Sequence, residues 1–343
     1  MPINKKMIWS LLIFGAICCL SLPAAAKDYL FAPINNACQV IDCETNKVIK
    51  SIPYNDYIVT SQVSKDGKRM YLNAWHSIYE IDTAKMELVD TYKFSAELSK
   101  VTVLGFDVAE DGEKLYLSCA ITKKKQNIPK LEVLPPQLVV FDLKQKQITK
   151  SFEIPFNVTG VITLRNDPNA LILGGLDLFK FNLSDGKYEK IKGILNAEQG
   201  EEAKNSLIIW SNRAPGDHGI FSQPYYTATR MGHFLIDRNT GTITDLHAKD
   251  IWMEYSNIVS PDKKYIYAVM DELIKVDAKT GETIKAVKTK QGTCYGLALS
   301  GDGKKIYVGP AGNDMSVYNT ETLELITVIT LEGDGIEAHM ITM

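Results

Sequence analysis

The 343-residue sequence predicts an all-β chain built from a repeated four-strand unit. Two markers recur along it, each at a strand boundary. The first is a turn in which an apolar run ends in Ser-x-Asp-Gly-Lys and is followed by an apolar strand with a central tyrosine. The second is an apolar run that ends in aspartate or asparagine before another turn. Asp-Gly pairs supply the positive φ that tight turns need, and short Asp and Asn side chains bond nearby backbone N–H groups.

Both markers are spread over the whole chain. The first marker has clear copies that begin at Ser64, Ala109, Ser260 and Ser300, and a degenerate copy at Arg165. The second marker falls at Asp42, Asp82, Asp142, Asn182, Asp237, Asp277 and Asn319. Successive positions are about forty residues apart, apart from two longer intervals, which is the size of one propeller blade. We expect these side chains to stabilise turns rather than to act in catalysis.

The two ends of the chain complement each other. Residues 29–32, 39–42 and 48–52 have the pattern of the second, third and fourth strands of a blade that lacks its first strand. Residues 338–343 follow a complete blade and have the pattern of a lone first strand. Six complete blades plus this composite blade give a seven-bladed β-propeller that spans residues 27–343. The closing pair is predicted to join residues 339–343 to residues 29–32.

The N-terminus has the three parts of a secretory signal peptide. Lys5 and Lys6 precede an apolar run over residues 7–22, and Ala24, Ala25 and Ala26 provide an Ala-x-Ala cleavage site. We place the signal peptide at residues 1–26, and the alternative is an uncleaved membrane anchor. The mature protein is therefore predicted to be periplasmic, with no membrane attachment after cleavage.

Charge and cysteine usage exclude several classes of function. The net charge is −3, which gives no electrostatic basis for binding nucleic acid. The densest basic run, at residues 123–125, is interpreted as a solvated loop. Cys38 and Cys43 lie along one extended run and are not expected to bridge each other, and Cys119 and Cys294 are interpreted as buried free cysteines in strands. The sequence has no Cys-x-x-Cys-His haem motif and no zinc-ligand spacing.

We find no catalytic set in the sequence, and we predict no catalytic, cofactor-binding or metal-binding residue in this chain. The five histidines show no ligand spacing, and there is no nucleophile elbow or phosphate loop. The functional signal lies in two insertions, one between Leu117 and Leu138 and one over residues 196–233. Insertions in propellers usually map to the binding face.

The second insertion holds the candidate contact residues. Aromatic and arginine side chains anchor protein interfaces, and they cluster here with one loop histidine. The candidate contacts to a partner or to a substrate cavity are Trp210, Arg213, His218, Tyr225, Tyr226 and, further on, Trp252. The alternative is that Trp210 and Tyr226 are strand residues packed between blades.

The chain resembles the β subunit of quinohaemoprotein amine dehydrogenase over nearly its whole predicted mature length. The segment 207–228 is the most specific part, with Trp210-Ser211-Asn212 and Pro224-Tyr225-Tyr226-Thr227-Ala228. Residues 27–33, 132–142 and 250–256 and the final blade add support.

This resemblance implies a periplasmic heterotrimer that oxidises primary amines. In that family a dihaem cytochrome c subunit and a small subunit with cysteine tryptophylquinone hold the cofactors. The β subunit is a propeller without a cofactor, on which the other subunits dock. The amine would be oxidised at the quinone and its electrons passed to haem c. No catalytic residue of this chain follows from the resemblance.

Two other functions stay open. One is a stand-alone exported propeller that binds a protein or a ligand without redox chemistry. The other, a free-standing propeller hydrolase, has the least support, because such enzymes need convergent acids and usually a central metal.

Overall fold

The computed structural model describes residues 26–206, 219–310, 312–335 and 337–343, which form seven antiparallel sheets arranged in a ring. Each sheet is one blade, so the chain is a seven-bladed β-propeller, and the predicted fold class is confirmed. Among the described residues, no helix has the length and apolar character needed to cross a membrane. Trp210, Arg213, His218 and nearly all of the proposed signal peptide lie outside the described residues.

The strands of each blade follow one another from the central channel outwards. Blade 1 contains β28 (His339–Thr342), β1 (Asp28–Ile34), β2 (Ala37–Asp42) and β3 (Lys47–Pro53). Blade 2 contains β4 (Thr60–Val63), β5 (Arg69–Asn73), β6 (Ser77–Asp82) and β7 (Glu87–Lys93). Blade 3 contains β8 (Ser99–Val108), β9 (Lys114–Lys124), β11 (Gln137–Asp142) and β12 (Gln147–Glu153), with the extra strand β10 (Leu131–Val133) beside β9. Blade 4 contains β13 (Gly160–Thr163), β14 (Ala170–Gly174), β15 (Leu178–Asn182) and β16 (Tyr188–Lys192).

The remaining blades follow the same order. Blade 5 contains β17 (Ile220–Tyr226), β18 (Met231–Asp237) and β19 (Ile243–His247) among the described residues. Blade 6 contains β20 (Ser256–Val259), β21 (Tyr265–Val269), β22 (Glu272–Asp277) and β23 (Thr283–Lys288). Blade 7 contains β24 (Cys294–Leu299), β25 (Lys305–Pro310), β26 (Asp314–Asn319) and β27 (Leu325–Thr330).

The two ends of the chain close the ring in blade 1. Strand β28 pairs antiparallel with β1, with Phe31 opposite His339 and Tyr29 opposite Ile341. The backbone N–H of Lys27 donates to the Met343 carbonyl over 2.6 Å, and the Met343 N–H donates back over 2.9 Å. The predicted pairing of the C-terminal strand with the strand at residues 29–32 is confirmed.

The core is a set of seven apolar clusters, one between each pair of neighbouring blades. For example, Leu30 and Ile41 of blade 1 pack against Tyr307 and Met315 of blade 7, and all four are buried. Each blade is covered on both sides by its neighbours, so both sides of its central strands are apolar. This arrangement explains why strands such as β11 show no clean alternation of apolar and polar residues.

The recurrent sequence markers form the predicted turns. In blade 7, the Ser300 hydroxyl donates to Asp302 over 2.7 Å, and Asp302 accepts the backbone N–H of Lys304 over 3.0 Å. Gly303 provides the positive φ, at 69°. The markers at Asp277 and Asn319 likewise accept backbone N–H groups from residues two and three positions on. The prediction that these acidic and amide side chains stabilise turns is confirmed.

The strand order separates the connections onto two faces of the ring. In the described residues, the turn face carries the tight turns that join first to second strands and third to fourth strands, except in blade 1, whose first and second strands come from opposite ends of the chain. The loop face carries the connections between second and third strands and the connections between blades. In the described residues, the inter-blade connections of the loop face are 54–59, 94–98, 154–159, 193–206, 248–255, 289–293 and 331–335 with 337–338.

The first predicted insertion lies on the loop face, and so do residues 196–206 of the second, but the extents of both differ from the prediction. In the first, Lys123 and Lys124 are exposed residues of β9, so this basic run is largely strand rather than loop. In the second, β17 and the start of β18 fall inside the predicted range of 196–233. The prediction that the whole range is inserted was therefore wrong, because its second half belongs to blade 5.

Candidate functional site

Exposed apolar side chains are concentrated on the loop face. Nine of the seventeen exposed large hydrophobic residues in the described part of the chain lie there, on the connections or on β10. The most exposed are Val133 at 75%, Phe156 at 74% and Ile251 at 64%. The full group is Tyr57, Leu98, Ile128, Leu131, Val133, Phe156, Leu195, Ile251 and Met253. We call this group the apolar loop-face residues.

The rest of the surface contrasts with the loop face. Seven of the other exposed hydrophobic residues lie on the outermost strands of the blades, with at most two on any one strand, and the last is Met343 at the C-terminus. Within the described residues, the tight turns of the turn face contribute none. Scattered apolar residues are normal on a protein surface, so the uneven distribution between the two faces is the feature that stands out.

A fully buried polar cluster lies beneath the loop face between blades 5 and 6. Its centre is the carboxylate of Glu254, which accepts a hydrogen bond from Trp252 Nε1 over 2.7 Å and one from Asn257 Nδ2 over 2.7 Å. His233 Nε2 lies 3.1 Å from the same carboxylate. Glu254 and His233 are both 0% exposed. The donors around Glu254 compensate for the cost of burying its charge.

Two of the predicted contact residues belong to this cluster. Trp252 is buried and bonded to Glu254, and Tyr226 uses its hydroxyl oxygen to accept the backbone N–H of Glu254 over 3.0 Å. Burial raises the pKa of Tyr226, so this hydroxyl stays neutral. The structure therefore brings Tyr226 and Trp252 together as packing residues.

Tyr225 lies apart from this cluster, between blades 4 and 5. Its ring is 0% exposed and stacks on Phe234 with the ring centroids 4.6 Å apart. Its hydroxyl donates to Asp245 over 2.5 Å, and burial raises its pKa. In this position the Tyr225 ring packs inside the propeller and is not part of its surface. Contact between Tyr225 and a partner stays a prediction.

A cavity of about 410 Å³ occupies the central channel. Residues from all seven blades line it, and they include Lys65, Asp66 and Gly301 of the tight turns. The cavity therefore reaches the turn face, opposite to the apolar loop-face residues. Its volume is in the range of pockets that hold small molecules.

A charged network ties three blades together on the wall of this cavity. Asp107 of blade 3 accepts hydrogen bonds from the backbone N–H and the hydroxyl of Thr163 in blade 4, each over 2.8 Å. Arg238 of blade 5 donates to the same carboxylate over 2.9 Å. This network holds the charged lining in place.

One buried serine of β4 has a histidine and a carboxylate as neighbours. Ser61 Oγ lies 2.7 Å from His339 Nε2 and 2.8 Å from Glu337 Oε2. A hydroxyl has one proton, so both bonds form together when Nε2–H donates to Oγ and Oγ–H donates to the carboxylate. The histidine is then a donor rather than a base, and Ser61 is 0% exposed. The arrangement therefore ties β28 to β4 and does not form a nucleophile.

Comparisons with known proteins identify the fold and leave the family open. No protein-family model matches the chain, and no curated protein matches it. By contrast, 1683 solved chains match its fold, so the fold by itself does not select a function. No group of three or more potential metal ligands occurs among the described residues.

Three solved propellers illustrate the likeness. AztD from Citrobacter koseri superposes with a TM-score of 0.57 at 13% identity, covering 93% of this chain and 99% of its own. Hydrazine synthase from Kuenenia stuttgartiensis gives 0.53 at 15% identity, with coverages of 87% and 90%. The dihydro-heme d1 dehydrogenase NirN gives 0.55 at 11% identity, with coverages of 92% and 74%. At these identities the likeness shows a shared propeller fold.

The sequence pattern does not indicate the Glu254 cluster or the serine–histidine contact. His233 and Glu254 lie on separate elements 21 positions apart, and Ser61 and His339 lie 278 positions apart. No spacing rule links such pairs. The blade repeat was the one signal that could have found the second pair, because it places β28 beside β4 once the ring is closed.

Replacing Glu254 tests the role of the buried cluster. In Glu254→Ala, the donors of Trp252, Asn257 and His233 lose their acceptor, and we expect the free energy of unfolding to fall by about 3–5 kcal/mol. Glu254→Gln keeps one acceptor oxygen and should lose less. Urea unfolding of both variants measures this, with the exposed Glu198→Ala as a control that changes stability by about 0.5 kcal/mol or less. Equal losses for Ala and Gln would contradict the hydrogen-bonding role.

His339 predicts a dependence of stability on pH. Burial lowers its pKa to about 3, against an unfolded value near 6.5. The unfolded chain binds the proton more tightly, so this contribution to stability is full above pH 6.5 and is lost as the pH falls toward 3. Between about pH 7 and about pH 4.5 we expect the native protein to lose about 2–3 kcal/mol more than His339→Gln.

Urea unfolding at the two pH values checks this expectation. The exposed His247→Gln is the matched control and should follow the native protein. If the unfolding free energies of the native protein and of His339→Gln depend on pH in the same way, His339 does not cause the loss of stability at low pH.

Proposed function

We propose that this chain is the β-propeller subunit of a periplasmic quinohaemoprotein amine dehydrogenase complex. Its proposed partners are a dihaem cytochrome c subunit and a small subunit that bears cysteine tryptophylquinone. Those partners would hold the cofactors and oxidise the primary amine. This chain would hold no cofactor and would supply the surface on which they assemble. Export by an N-terminal signal peptide is part of the same proposal.

The apolar loop-face residues are the observation that supports this role most directly. Stable interfaces have an apolar core surrounded by polar groups. The loop face presents exposed apolar residues along the connections around blades 2 to 6. The first insertion and residues 196–206 of the second extend the same face. A subunit whose work is assembly needs this kind of surface and no catalytic set of its own.

The sequence resemblance supplies the identity of the partners. It is most specific in residues 207–228, of which 220–226 form β17 of blade 5, and the Tyr226 end of this strand reaches the loop face. The fold is shared with several solved proteins, and the name of one of them, dihydro-heme d1 dehydrogenase, refers to a haem derivative. This agrees with the proposal without selecting it.

The alternative is a stand-alone exported propeller that binds a small ligand. The cavity of about 410 Å³ on the channel axis favours this alternative, because it is large enough for a small molecule and has a charged lining. The two proposals place function at opposite ends of the ring.

Purification from the native host separates the two proposals. We expect the chain to elute with two further subunits, to show a c-type haem absorption spectrum and to oxidise primary amines. A colourless chain that elutes alone would overturn the amine dehydrogenase proposal and favour the stand-alone propeller.

Single substitutions on the loop face should weaken assembly. Phe156→Ser and Ile251→Ser each remove an exposed apolar side chain that the partner is expected to cover. Burial of such a side chain contributes about 1.5–3 kcal/mol, so the dissociation constant should rise about ten- to a hundredfold. Titration calorimetry with the purified partner subunits measures this change.

The matched control lies on an outermost strand. Ile284, on β23, is 50% exposed, and Ile284→Ser should leave the dissociation constant unchanged. Thermal unfolding of all three variants should match the native chain. Unchanged affinity in both loop-face variants would place the docking surface elsewhere.

A further inference from the structure

Blade 3 extends beyond the loop face as a projecting sheet. Its first two strands, β8 and β9, contain 10 and 11 residues, whereas β4 and β5 of blade 2 contain 4 and 5. The extra length of about six residues corresponds to roughly 20 Å of strand. Strand β10 pairs with the end of β9, so the projecting part has β8, β9 and β10 side by side.

The outer edge of β10 is open. Glu132 lies opposite Lys123, and the backbone N–H of Leu134 donates to Ile121 over 2.9 Å. Antiparallel residues alternate between those that bond to the neighbouring strand and those that point away from it. Glu132 therefore bonds to β9, while Leu131 and Val133 direct their backbone N–H and C=O groups away from it. In the described residues, no strand pairs with β10 along that side.

The side chains of this edge are unusual for an unpaired strand. Leu131 is 63% exposed and Val133 is 75% exposed, and Ile128 in the adjoining loop is also exposed. Proteins commonly protect a free edge with charged or proline residues along the strand, because such an edge pairs readily with another chain. Here the two residues with outward backbone groups are both apolar.

The surroundings of the edge are basic. Over residues 96–103 and 120–134 there are five lysines and two glutamates. The lysines are Lys100, Lys123, Lys124, Lys125 and Lys130, and the glutamates are Glu97 and Glu132. One ion pair, between Lys125 and Glu132 over 3.5 Å, offsets part of this charge. An excess of positive charge on a chain whose net charge is −3 favours an acidic partner.

We propose that β10 accepts an extended, acidic segment of a partner protein as an added β-strand. The backbone groups of Leu131 and Val133 would pair with the incoming strand, and the lysines would attract its acidic residues. Strand addition of this kind derives affinity from main-chain hydrogen bonds and specificity from side chains. The identity of the partner, one of the two cofactor-bearing subunits, rests on the proposed function.

Proline at position 133 tests the backbone pairing. Because the Val133 N–H points outward, Val133→Pro removes a donor from the open edge and leaves the bonds of Glu132 and Leu134 to β9 in place. The control, Val133→Thr, keeps the N–H and a β-branched side chain. By titration calorimetry with the partner subunits, we expect the dissociation constant to rise at least about tenfold for Pro and less than about threefold for Thr. Equal affinity of Val133→Pro and the native chain would overturn the proposal.

Two charge-reversal variants test whether the lysines of the projecting sheet contribute to binding. Lys124→Glu should weaken binding and reduce its dependence on salt concentration. Lys144→Glu makes the same change at an exposed lysine of the turn face. It should leave the affinity and its dependence on salt concentration unchanged. If the two variants behave alike, the lysines of the projecting sheet do not attract the partner.

Hydrogen exchange separates this proposal from the proposed function. In the assembly isolated from the native host, the amides of Leu131 and Val133 should exchange slowly, and in the isolated chain rapidly. The Glu132 amide should be slow in both. Slow amide exchange at Leu131 and Val133 in an assembly without haem or quinone would support strand addition and contradict the amine dehydrogenase role. Rapid exchange in every assembly, or a chain purified alone, would overturn strand addition.

Discussion

The pairing of β28 with β1 is the constraint on which the rest of the structure depends. It joins strands from opposite ends of the sequence, with Asp28 opposite Thr342. Every blade is apolar on both sides, so an open ring would expose two apolar sheet faces to water. Closure supplies each blade with two neighbours. The contact of His339 with Ser61 extends the closure from blade 1 to blade 2 through a buried hydrogen bond.

The repeated part of the fold could be predicted because its determinants are local. Asp302 and Ser300 fix one turn through bonds within six residues, and copies of this turn mark the blades. The extent of the second insertion could not be predicted in the same way. Strand β17 contains Ser222, Gln223 and Pro224, so it lacks the apolar run that marks other strands. Its burial comes from neighbouring blades, which a local pattern does not show.

The candidate sites, too, could be predicted from the sequence only in part. Aromatic residues in and after the second insertion were predicted as contacts, and the structure shows that Tyr225 and Trp252 are buried and bonded to acidic side chains. Their contact with a partner stays a prediction. Composition identifies the segment and does not say which side of a strand a ring occupies. The exposed Phe156 and Ile251 lie in short connections that resemble ordinary loops. Their importance appears when the ring places both connections on one face.

The two faces differ because they are under different constraints. Most tight turns of the turn face combine a positive φ with a carboxylate or amide that accepts backbone N–H groups, as Gly303 and Asp302 do, and these turns are short. The connections of the loop face vary more in length, and the projecting sheet and residues 193–206 are found there. A partner that pairs with β10 and covers Phe156 approaches over blades 3 and 4, away from the channel axis. The cavity reaches the opposite face, so such docking would leave its turn-face end open to small molecules.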